Sequence, residues 1–253
     1  MERLYLLNLP VDSCSMKEAV DEVLSFARGE RKSGIPGRTC AHIYFLNAHC
    51  GNVASKVPAY KDALRRGDLV FPDGSGVKLG GRLQGTPIKE NVNGTDMFPL
   101  LMAAMNAEHL RVFFVGAKRK VIARLVQEVS RRWPGIDLTG WTVGYFTEDR
   151  EVVDAIKLFG ADLVFVAMGV PRQELWIDSC ADATGARAAL AVGGLFDFFS
   201  GLMPRAPVWM RRLGIEWIFR LAMEPGRMWR RYIIGNFAFV TRVVGRRRRG
   251  ARP

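Results

Sequence analysis

The amino-acid sequence predicts an α/β protein built around one mainly parallel sheet. Two observations lead to this prediction: strand and helix patterns alternate, and turn residues follow each strand. The short apolar runs that predict strands are 42–47, 68–71, 111–116, 136–141, 161–168 and 186–194. Helical patterns cover 16–28, 52–65, 96–108, 118–132, 149–159 and 172–184. Elements alternating at this length form right-handed βαβ units, so functional residues are expected beyond the carboxyl ends of the strands.

The composition fits a packed domain and argues against several other classes of protein. Hydrophobic residues make up 49% of the chain, which is ample for a core. No apolar run approaches the ~18 residues of a membrane-spanning helix, and the N-terminal segment does not resemble a signal peptide. We therefore expect a protein of the cytoplasm or of the cytoplasmic face of a membrane. The four cysteines and three histidines show no metal-ligand spacing, so reduced thiols and no metal site are expected.

The charge is concentrated at the C-terminal end of the chain. Of the net charge of +12, the segment from Arg205 onward contributes +11, with 13 arginines against two acidic residues. This contrast divides the chain into a predicted core, 1–204, an amphipathic arginine-rich appendage, 205–245, and a basic tail, 246–253, that is expected to be disordered. A nearly neutral body with a basic end indicates an anionic partner.

The appendage carries two amphipathic patterns. The first places Trp209, Leu213, Trp217 and Leu221 on one helical face and ends at Glu224-Pro225-Gly226. The second places Trp229, Tyr232, Ile233, Asn236 and Val240 on one side of a helix and Arg227, Arg230 and Arg231 on the other. Faces of this kind suit an anionic membrane surface, although a surface helix packed on its own domain has the same pattern.

Asp73, in the segment "PDGSG", follows one of the predicted strands. Pro-Asp-Gly is good turn chemistry by itself, because proline presets φ and glycine accepts positive φ. The position beyond a strand end favours a second role, which is to present the carboxylate to a ligand. Asn47 ends the first predicted strand and is thus in a similar position; its alternative role is to satisfy the strand end.

The segment "NVNGTD" precedes a predicted helix, for which Thr95 is the expected N-cap. Asn93 and Gly94 form either a simple turn or a backbone anion site at the helix start. Asp96 either stabilises its own helix by ~0.5 kcal/mol or belongs to a pocket.

Three chemistries compete for these residues. The segment "GSGVKLG" is near a dinucleotide-binding fingerprint, but its third glycine comes one position late and the loop does not follow the first strand. Nucleic-acid binding is disfavoured because no known module accompanies the arginines, which alternate with apolar residues. Glycosyl transfer from a nucleotide sugar needs a base and a counter-charge for the departing diphosphate. The chain has no Asp-x-Asp metal motif, so arginines would have to supply that charge.

Five ordered motifs resemble the WecG/TagA/CpsF family of bacterial glycosyltransferases. They are "DLVFPDGSGV", "NVNGTDMF", "AMGVPRQELW", "VGGLFDFFSG" and "RAPVWMRRLGIEWIFRLAMEPGRMWRRY". The resemblance covers about residues 40–232 and implies a variant Rossmann-like core with a helical, basic C-terminal appendage that closes the site and contacts the membrane. It also implies an inverting, metal-independent transfer from a UDP-sugar to a polyprenyl-diphosphate-linked sugar, without a cofactor.

The resemblance also implies roles for individual residues. Asp73 matches the proposed general base, Asn47 a residue of the donor or acceptor pocket, and Gln173 a contact to the nucleotide. Asn91, Asn93, Gly94 and Asp96 lie in a pocket loop and are expected to bind substrate. The appendage arginines that match candidates for diphosphate binding are Arg220, Arg227 and Arg230.

Two departures from the family pattern bear on the sugar. Phe45 replaces a frequent threonine, and Asn91 replaces a frequent arginine. Loss of a hydroxyl and a charge near the sugar pocket suggests a different sugar. The segments "FLNA" and "NVNGTD" resemble the xanthan-type exopolysaccharide β-glucosyltransferases, so we expect UDP-glucose as donor and a glucosyl-diphosphate-polyprenol as acceptor. The alternatives are UDP-N-acetylmannosamine or its uronic acid as donor and, from another class, a dinucleotide-binding oxidoreductase or a non-enzymatic nucleotide-binding protein. The sequence leaves assembly into a homo-oligomer open, and no nucleic-acid partner is expected.

Overall fold

The structure is a computed structural model that describes residues 1–248 of the chain. Its first two strands, β1 (Glu2–Leu6) and β2 (Leu9–Ser13), form an antiparallel hairpin. The other strands are β3 (Ala41–Leu46), β4 (Leu69–Pro72), β5 (Arg111–Gly116), β6 (Asp137–Thr142), β7 (Leu163–Ala167) and β8 (Ala188–Ala191). These six strands pair in parallel in the order β4-β3-β8-β7-β5-β6. The predicted α/β fold with a parallel sheet is confirmed.

Helices follow the strands and cover both faces of the sheet. In the core they are α1 (Met16–Arg28), α2 (Ala48–Ala54), α3 (Pro58–Arg65), α4 (Ser75–Gln84), α5 (Gly94–Ala107), α6 (Arg119–Arg132), α7 (Asp149–Phe159), α8 (Arg172–Cys180) and α9 (Leu195–Phe199). In the appendage they are α10 (Val208–Arg212), α11 (Glu216–Met223), α12 (Pro225–Trp229) and α13 (Gly235–Arg248), with a π-helical turn at Arg230–Ile234. This arrangement of helices around a parallel sheet is that of a Rossmann-like core.

Two hydrophobic layers hold the sheet between the helices. On one face, Phe45 and Phe71 pack with residues of α1, α5, α6 and α9. On the other face, Tyr44 and Val70 pack with residues of α2, α3, α4, α7 and α8. Side chains of adjacent positions in β3 and β4 thus point to opposite layers, as the period of two in a strand requires.

Two features of the fold differ from the sequence prediction near the N-terminal half of the sheet. The β1–β2 hairpin turns at Leu7 and Asn8, both with positive φ, and leucine gives no turn signal at such a position. The hairpin is held to the sheet by Asp12, whose Oδ2 accepts a hydrogen bond of 2.6 Å from the Val70 N–H. The predicted helix 52–65 is two helices, because Pro58 begins α3 at a position where its missing N–H costs nothing.

The appendage differs from the two helical faces predicted for it. Gly214, with φ of +70°, separates α10 from α11, so the four-residue spacing from Trp209 to Leu221 does not form one continuous face. The π-helical turn then shifts the phase of the following residues. As a result Phe239 and Val243 are buried, whereas Trp229 and Ile233 are exposed.

α13 packs on α2 and α4, the two helices that follow β3 and β4. The Phe239 ring lies against two glycines, since a β-carbon would be 2.7 Å from Phe239 Cε2 at Gly51 and 3.2 Å from Cε1 at Gly80. Asn52 Nδ2 donates a 2.7 Å hydrogen bond to the Gly235 carbonyl, and Arg242 donates to Asn52 Oδ1. The appendage is therefore packed on the core through α13. This helix includes the first three residues of the tail predicted to be disordered; residues 249–253 lie outside the described part of the chain.

We predict that Gly51→Ala destabilises the protein, because the added methyl group meets the buried Phe239 ring. The expected loss in free energy of unfolding is about 1–3 kcal/mol, measured by thermal denaturation followed by circular dichroism. Gly76→Ala in α4 is the matched control, since its β-carbon would meet Ala48 Cβ at an ordinary 3.4 Å. That control should be neutral or slightly stabilising, because alanine has the higher helix propensity. Equal stability of the two variants would contradict the role of Phe239.

Candidate active site

The candidate active site lies at the carboxyl ends of the neighbouring strands β3 and β4. Asn47 and Asp73 follow these strands, and Asn47 Nδ2 donates a hydrogen bond of 3.1 Å to Asp73 Oδ2. Asn47 Oδ1 accepts a 3.0 Å hydrogen bond from the Cys50 N–H, so the same side chain caps α2. Parallel pairing of the strands thus joins two residues that are far apart in the sequence.

A turn built by the Asn91 loop presents the Asp73 carboxylate. The Gly74 N–H donates a 2.5 Å hydrogen bond to Asn91 Oδ1, and the Val92 N–H donates one of 2.8 Å to the Pro72 carbonyl. Gly74 has φ of +92°, a conformation that glycine adopts without strain. Asp73 is therefore both a turn residue and a site residue, and Asn91 stabilises the turn by accepting the Gly74 hydrogen bond.

Asp73 is half-buried, and its surroundings control its proton affinity. Burial raises the pKa of Asp73, and the Asn47 hydrogen bond and the charges of Arg220 and Arg231 oppose that rise only in part. The carboxyl group is consequently a stronger base than an exposed aspartate.

Asn93, and not the expected Thr95, is the N-cap of α5. Asn93 Oδ1 accepts a 2.8 Å hydrogen bond from the Asp96 N–H, and Asn93 Nδ2 donates one of 2.7 Å to Asp96 Oδ2. An asparagine that satisfies the third residue of a helix leaves no capping task for the residues between them. Gly94 begins the helix and packs against the Phe45 ring. A β-carbon at position 94 would lie 3.4 Å from Phe45 Cε2.

Asp96 connects this helix start to the appendage. Arg205 Nη2 donates a 2.7 Å hydrogen bond to Asp96 Oδ1, and Arg211 Nη1 donates one of 3.2 Å to the same oxygen. Burial opposes ionisation of Asp96, but the Asn93 hydrogen bond and the two arginines outweigh it and lower its pKa. The carboxylate is thus ionised near neutral pH and occupied by protein groups.

Two arginines of the appendage lie close enough for their charges to act on Asp73. Arg220 stacks on the Phe198 ring at 4.7 Å from its centroid, and Arg220 Nη2 lies 3.5 Å from where a β-carbon of Gly194 would be. Arg231, which the sequence analysis placed on the basic side of a helix but not among the candidates for diphosphate binding, acts on Asp73 from the π-helical turn.

The other two predicted arginines are not joined to this site by a described contact. Arg230 is exposed and stacks on Trp229 at 5.5 Å from the ring centroid. The side chain of Arg227 lies outside the described part of the structure. The predicted roles of both residues stay predictions.

Glu216 is a site residue that sequence reasoning missed. It begins α11, and its Oε1 lies 3.8 Å from Arg205 Nε. Burial raises the pKa of Glu216, and the carboxylates of Asp73 and Asp96 act in the same direction. From Arg205 onward the sequence has only two acidic residues among 13 arginines, and Glu216 is one of them. This pattern does not show that its side chain lies near Asp73.

Gln173 lies behind the loops at the carboxyl ends of β7 and β8. Its side chain is buried, and its Oε1 accepts hydrogen bonds of 3.1 Å from the Gly169 N–H and 2.9 Å from the Gly193 N–H. The structure therefore engages the amide oxygen within the protein. The direct contact with a nucleotide stays a prediction for this residue.

Phe45 forms part of the apolar layer under the pocket loop. It is 7% exposed, and its ring packs against Phe71 with centroids 5.8 Å apart, in addition to its contact with Gly94. A ring in this place offers a substrate no hydrogen bond.

Within residues 1–248 no group of three or more His, Cys, Asp and Glu side chains has the geometry of a metal site. The positive charges that act on Asp73 are the guanidinium groups of Arg220 and Arg231. Their planar, forked donors match the oxygens of a phosphate or a carboxylate. A carboxylate base can remove a proton from a hydroxyl group, and guanidinium groups next to it can stabilise an anionic leaving group.

Comparison with known proteins agrees with this chemistry. The model of the glycosyl transferase WecG/TagA/CpsF family matches residues 4–253. The chain belongs to this family. Among its relatives is the N-acetylglucosaminyldiphosphoundecaprenol N-acetyl-β-D-mannosaminyltransferase of Bacillus spizizenii, 36% identical over 92% of this chain and 90% of the relative. The Bacillus subtilis protein of the same name is 32% identical over 92% of this chain and 88% of the relative. The Staphylococcus aureus protein of that name is 27% identical over 94% of this chain and 91% of the relative.

As a member of the WecG/TagA/CpsF family the chain is an enzyme, a glycosyltransferase. The expectation of a xanthan-type glucosyltransferase is not supported, because these relatives are named for transfer of N-acetylmannosamine. N-acetylmannosamine, an alternative sugar considered from the sequence, fits the names of these relatives better. The glucose donor expected from Phe45 and Asn91 is not confirmed.

We predict that Asp96→Asn loosens the start of the appendage in this glycosyltransferase. The variant keeps an acceptor for Asn93 but loses the charge that holds Arg205 and Arg211, so amide hydrogen exchange in α10 should accelerate. Because the Asp96 side chain is 40% exposed, the loss in overall stability should be at most about 1 kcal/mol. Asp21→Asn, which removes the exposed pair with Lys17, is the control. Unchanged exchange in α10 would show that the pairs with Asp96 do not hold the appendage.

Proposed function

We propose that this enzyme transfers N-acetylmannosamine from its UDP-linked form to N-acetylglucosaminyl-diphospho-polyprenol. The observation that supports the reaction type is the half-buried Asp73 carboxylate, oriented by Asn47 and faced by the charges of Arg220 and Arg231. The names of the relatives, at up to 36% identity, support the choice of donor and acceptor.

In the proposed reaction Asp73 is the general base. It accepts the proton of the acceptor hydroxyl while that oxygen bonds to the anomeric carbon of the donor sugar. The bond from this carbon to the UDP oxygen breaks, its electron pair leaves with UDP, and the configuration inverts. Arg220 and Arg231 stabilise the charge that develops on the diphosphate. The raised pKa of Asp73 makes it a better proton acceptor, and the proton later passes to solvent.

We further propose that the appendage binds an anionic membrane surface, where a polyprenyl-linked acceptor lies. The exposed apolar side chains of the appendage include Val208, Trp209, Leu213, Ile218, Met223, Trp229, Ile233, Ile234 and Phe237. No helix within residues 1–248 has the length and apolarity to cross a bilayer. Exposed aromatic groups beside arginines support attachment to one face of a membrane, which we propose is the cytoplasmic face.

The reaction is tested by release of UDP from a panel of UDP-sugars in EDTA, with and without synthetic lipid-diphosphate acceptors. We expect release from UDP-N-acetylmannosamine only when the N-acetylglucosaminyl-diphospho-lipid is present. Release from UDP-glucose with a glucosyl-diphospho-lipid would overturn the donor but keep the reaction type. Release that requires an added divalent cation would overturn the role of the arginines as the counter-charge.

In the same assay Asp73→Asn should lower turnover by roughly 10²-fold or more while binding of UDP is unchanged. Wild-type turnover should fall as the pH falls through a value above 3.8, the ordinary value for aspartate, because the base acts only when deprotonated and its pKa is raised. Asp62→Asn, an exposed carboxylate on α3, is the control and should leave turnover unchanged. Near-normal turnover of Asp73→Asn would exclude Asp73 as the base.

The membrane surface is tested by sedimentation with vesicles of phosphatidylglycerol and of phosphatidylcholine. The double variant Trp209→Ser with Phe237→Ser should bind the anionic vesicles roughly tenfold more weakly or worse, because each exposed ring contributes apolar area. Leu158→Ser, an exposed apolar residue of α7 in the core, is the control. Equal binding by all three proteins, or no preference for anionic vesicles, would contradict this surface.

A further inference from the structure

Glu174 is a buried acidic residue for which the proposed reaction has no use. It lies in the first turn of α8, directly after Gln173, and is 1% exposed. Its Oε1 accepts a hydrogen bond of 2.8 Å from Gln173 Nε2, and its Oε2 has no hydrogen-bond partner. An acidic side chain in such surroundings costs stability, so it calls for a functional explanation.

Gln173, which precedes Glu174, connects two loops at the carboxyl ends of the strands, the same end of the sheet at which Asp73 lies. Gln173 Oε1 accepts from Gly169, in the loop after β7, and from Gly193, in the loop after β8. The next residue along the chain, Gly194, lies against the guanidinium group of Arg220. A shift of the β8 loop would therefore move the surface on which Arg220 rests.

The orientation of the Gln173 amide decides whether these loops are held. Gly169 and Gly193 present N–H donors, so only the oxygen end of the amide can satisfy them. A flipped amide would point N–H groups at N–H groups and leave all of them unsatisfied in a buried place. Glu174 Oε1, as an acceptor, favours the orientation in which the nitrogen faces it.

We infer that Glu174 is a positioning residue that fixes the Gln173 amide and, through it, the two glycine loops beside the Arg220 guanidinium. The catalytic consequence of this inference rests on the proposed function, whereas the holding of the loops does not. Burial raises the pKa of Glu174 to about 7, so a large fraction of the side chain is neutral near neutral pH. A neutral glutamine at position 174 should therefore replace it well.

Hydrogen exchange of the loop amides tests the inference without any substrate. Glu174→Met, which keeps an apolar side chain of similar length, should lose protection at Gly169 and Gly193 by roughly tenfold or more. Glu174→Gln retains an acceptor for Gln173 Nε2 and should keep that protection. Ile177→Val, a change at a fully buried position of the same helix, is the control for a general loss of packing and should also keep it.

Steady-state transfer by the same variants tests the catalytic consequence. Glu174→Met should lower kcat/KM for the UDP-sugar by roughly tenfold or more, and Glu174→Gln should stay within about threefold of the wild type. Equal loop protection in all variants, or loss of protection in Glu174→Gln as large as in Glu174→Met, would overturn the inference. If the loops respond as expected but the wild type transfers no sugar, the proposed function fails and the positioning role stands.

A measurement on the unaltered chain covers the case in which Glu174→Met does not fold. The Gln173 side-chain NH₂ should give two resolved, slowly exchanging proton signals in a nitrogen-15 spectrum of selectively labelled protein, because Nε2 is buried and held by Glu174. A rapidly exchanging NH₂ would overturn the inference.

Discussion

The parallel pairing of β3 with β4 is the contact on which the candidate site depends. It brings the carboxyl ends of two strands together, so that Asn47 and Asp73 meet across 3.1 Å although 26 positions separate them in the sequence. Each residue also has a local task, since Asn47 caps α2 and Asp73 lies in a turn supported by Asn91. The carboxylate is thus oriented by backbone geometry and not by a flexible side chain alone, which favours a fixed position for the base.

Helix α13 extends this constraint to the appendage. Its Phe239 ring fills the space that Gly51 in α2 and Gly80 in α4 leave open, and these are the helices that begin beside Asn47 and Asp73. The buried Phe239 ring therefore packs the appendage against the helix that follows Asn47 and the helix that follows Asp73. This packing explains why a segment with so much charge is not simply a free basic tail.

Charge balance in the site depends on a mixture of acidic and basic residues. Asp96 holds Arg205 and Arg211, and Glu216 lies near Arg205, so part of the positive charge is already paired within the protein. Arg220 stacks on the Phe198 ring, and its guanidinium charge acts on both Asp73 and Glu216. Arg205 and Arg211 thus pair with acidic groups of the protein, whereas the planar, forked donors of Arg220 have the geometry that matches phosphate oxygens.

Local patterns in the sequence determined the alternation of strands and helices, the parallel sheet and the position of Asp73 at a strand end. They could do so because apolar periodicity and the Pro-Asp-Gly turn are properties of neighbouring residues. The tertiary structure decided what depends on distant contacts: Asn93 as the cap of α5, Glu216 and Arg231 at the site, and Gln173 as a bond between two loops. The faces of the appendage also belonged to this second group, because Gly214 and a π-helical turn change the phase that a regular helix would keep. A one-dimensional pattern carries the period of a helix, but only packing against α2 and α4 selects which of its sides is buried.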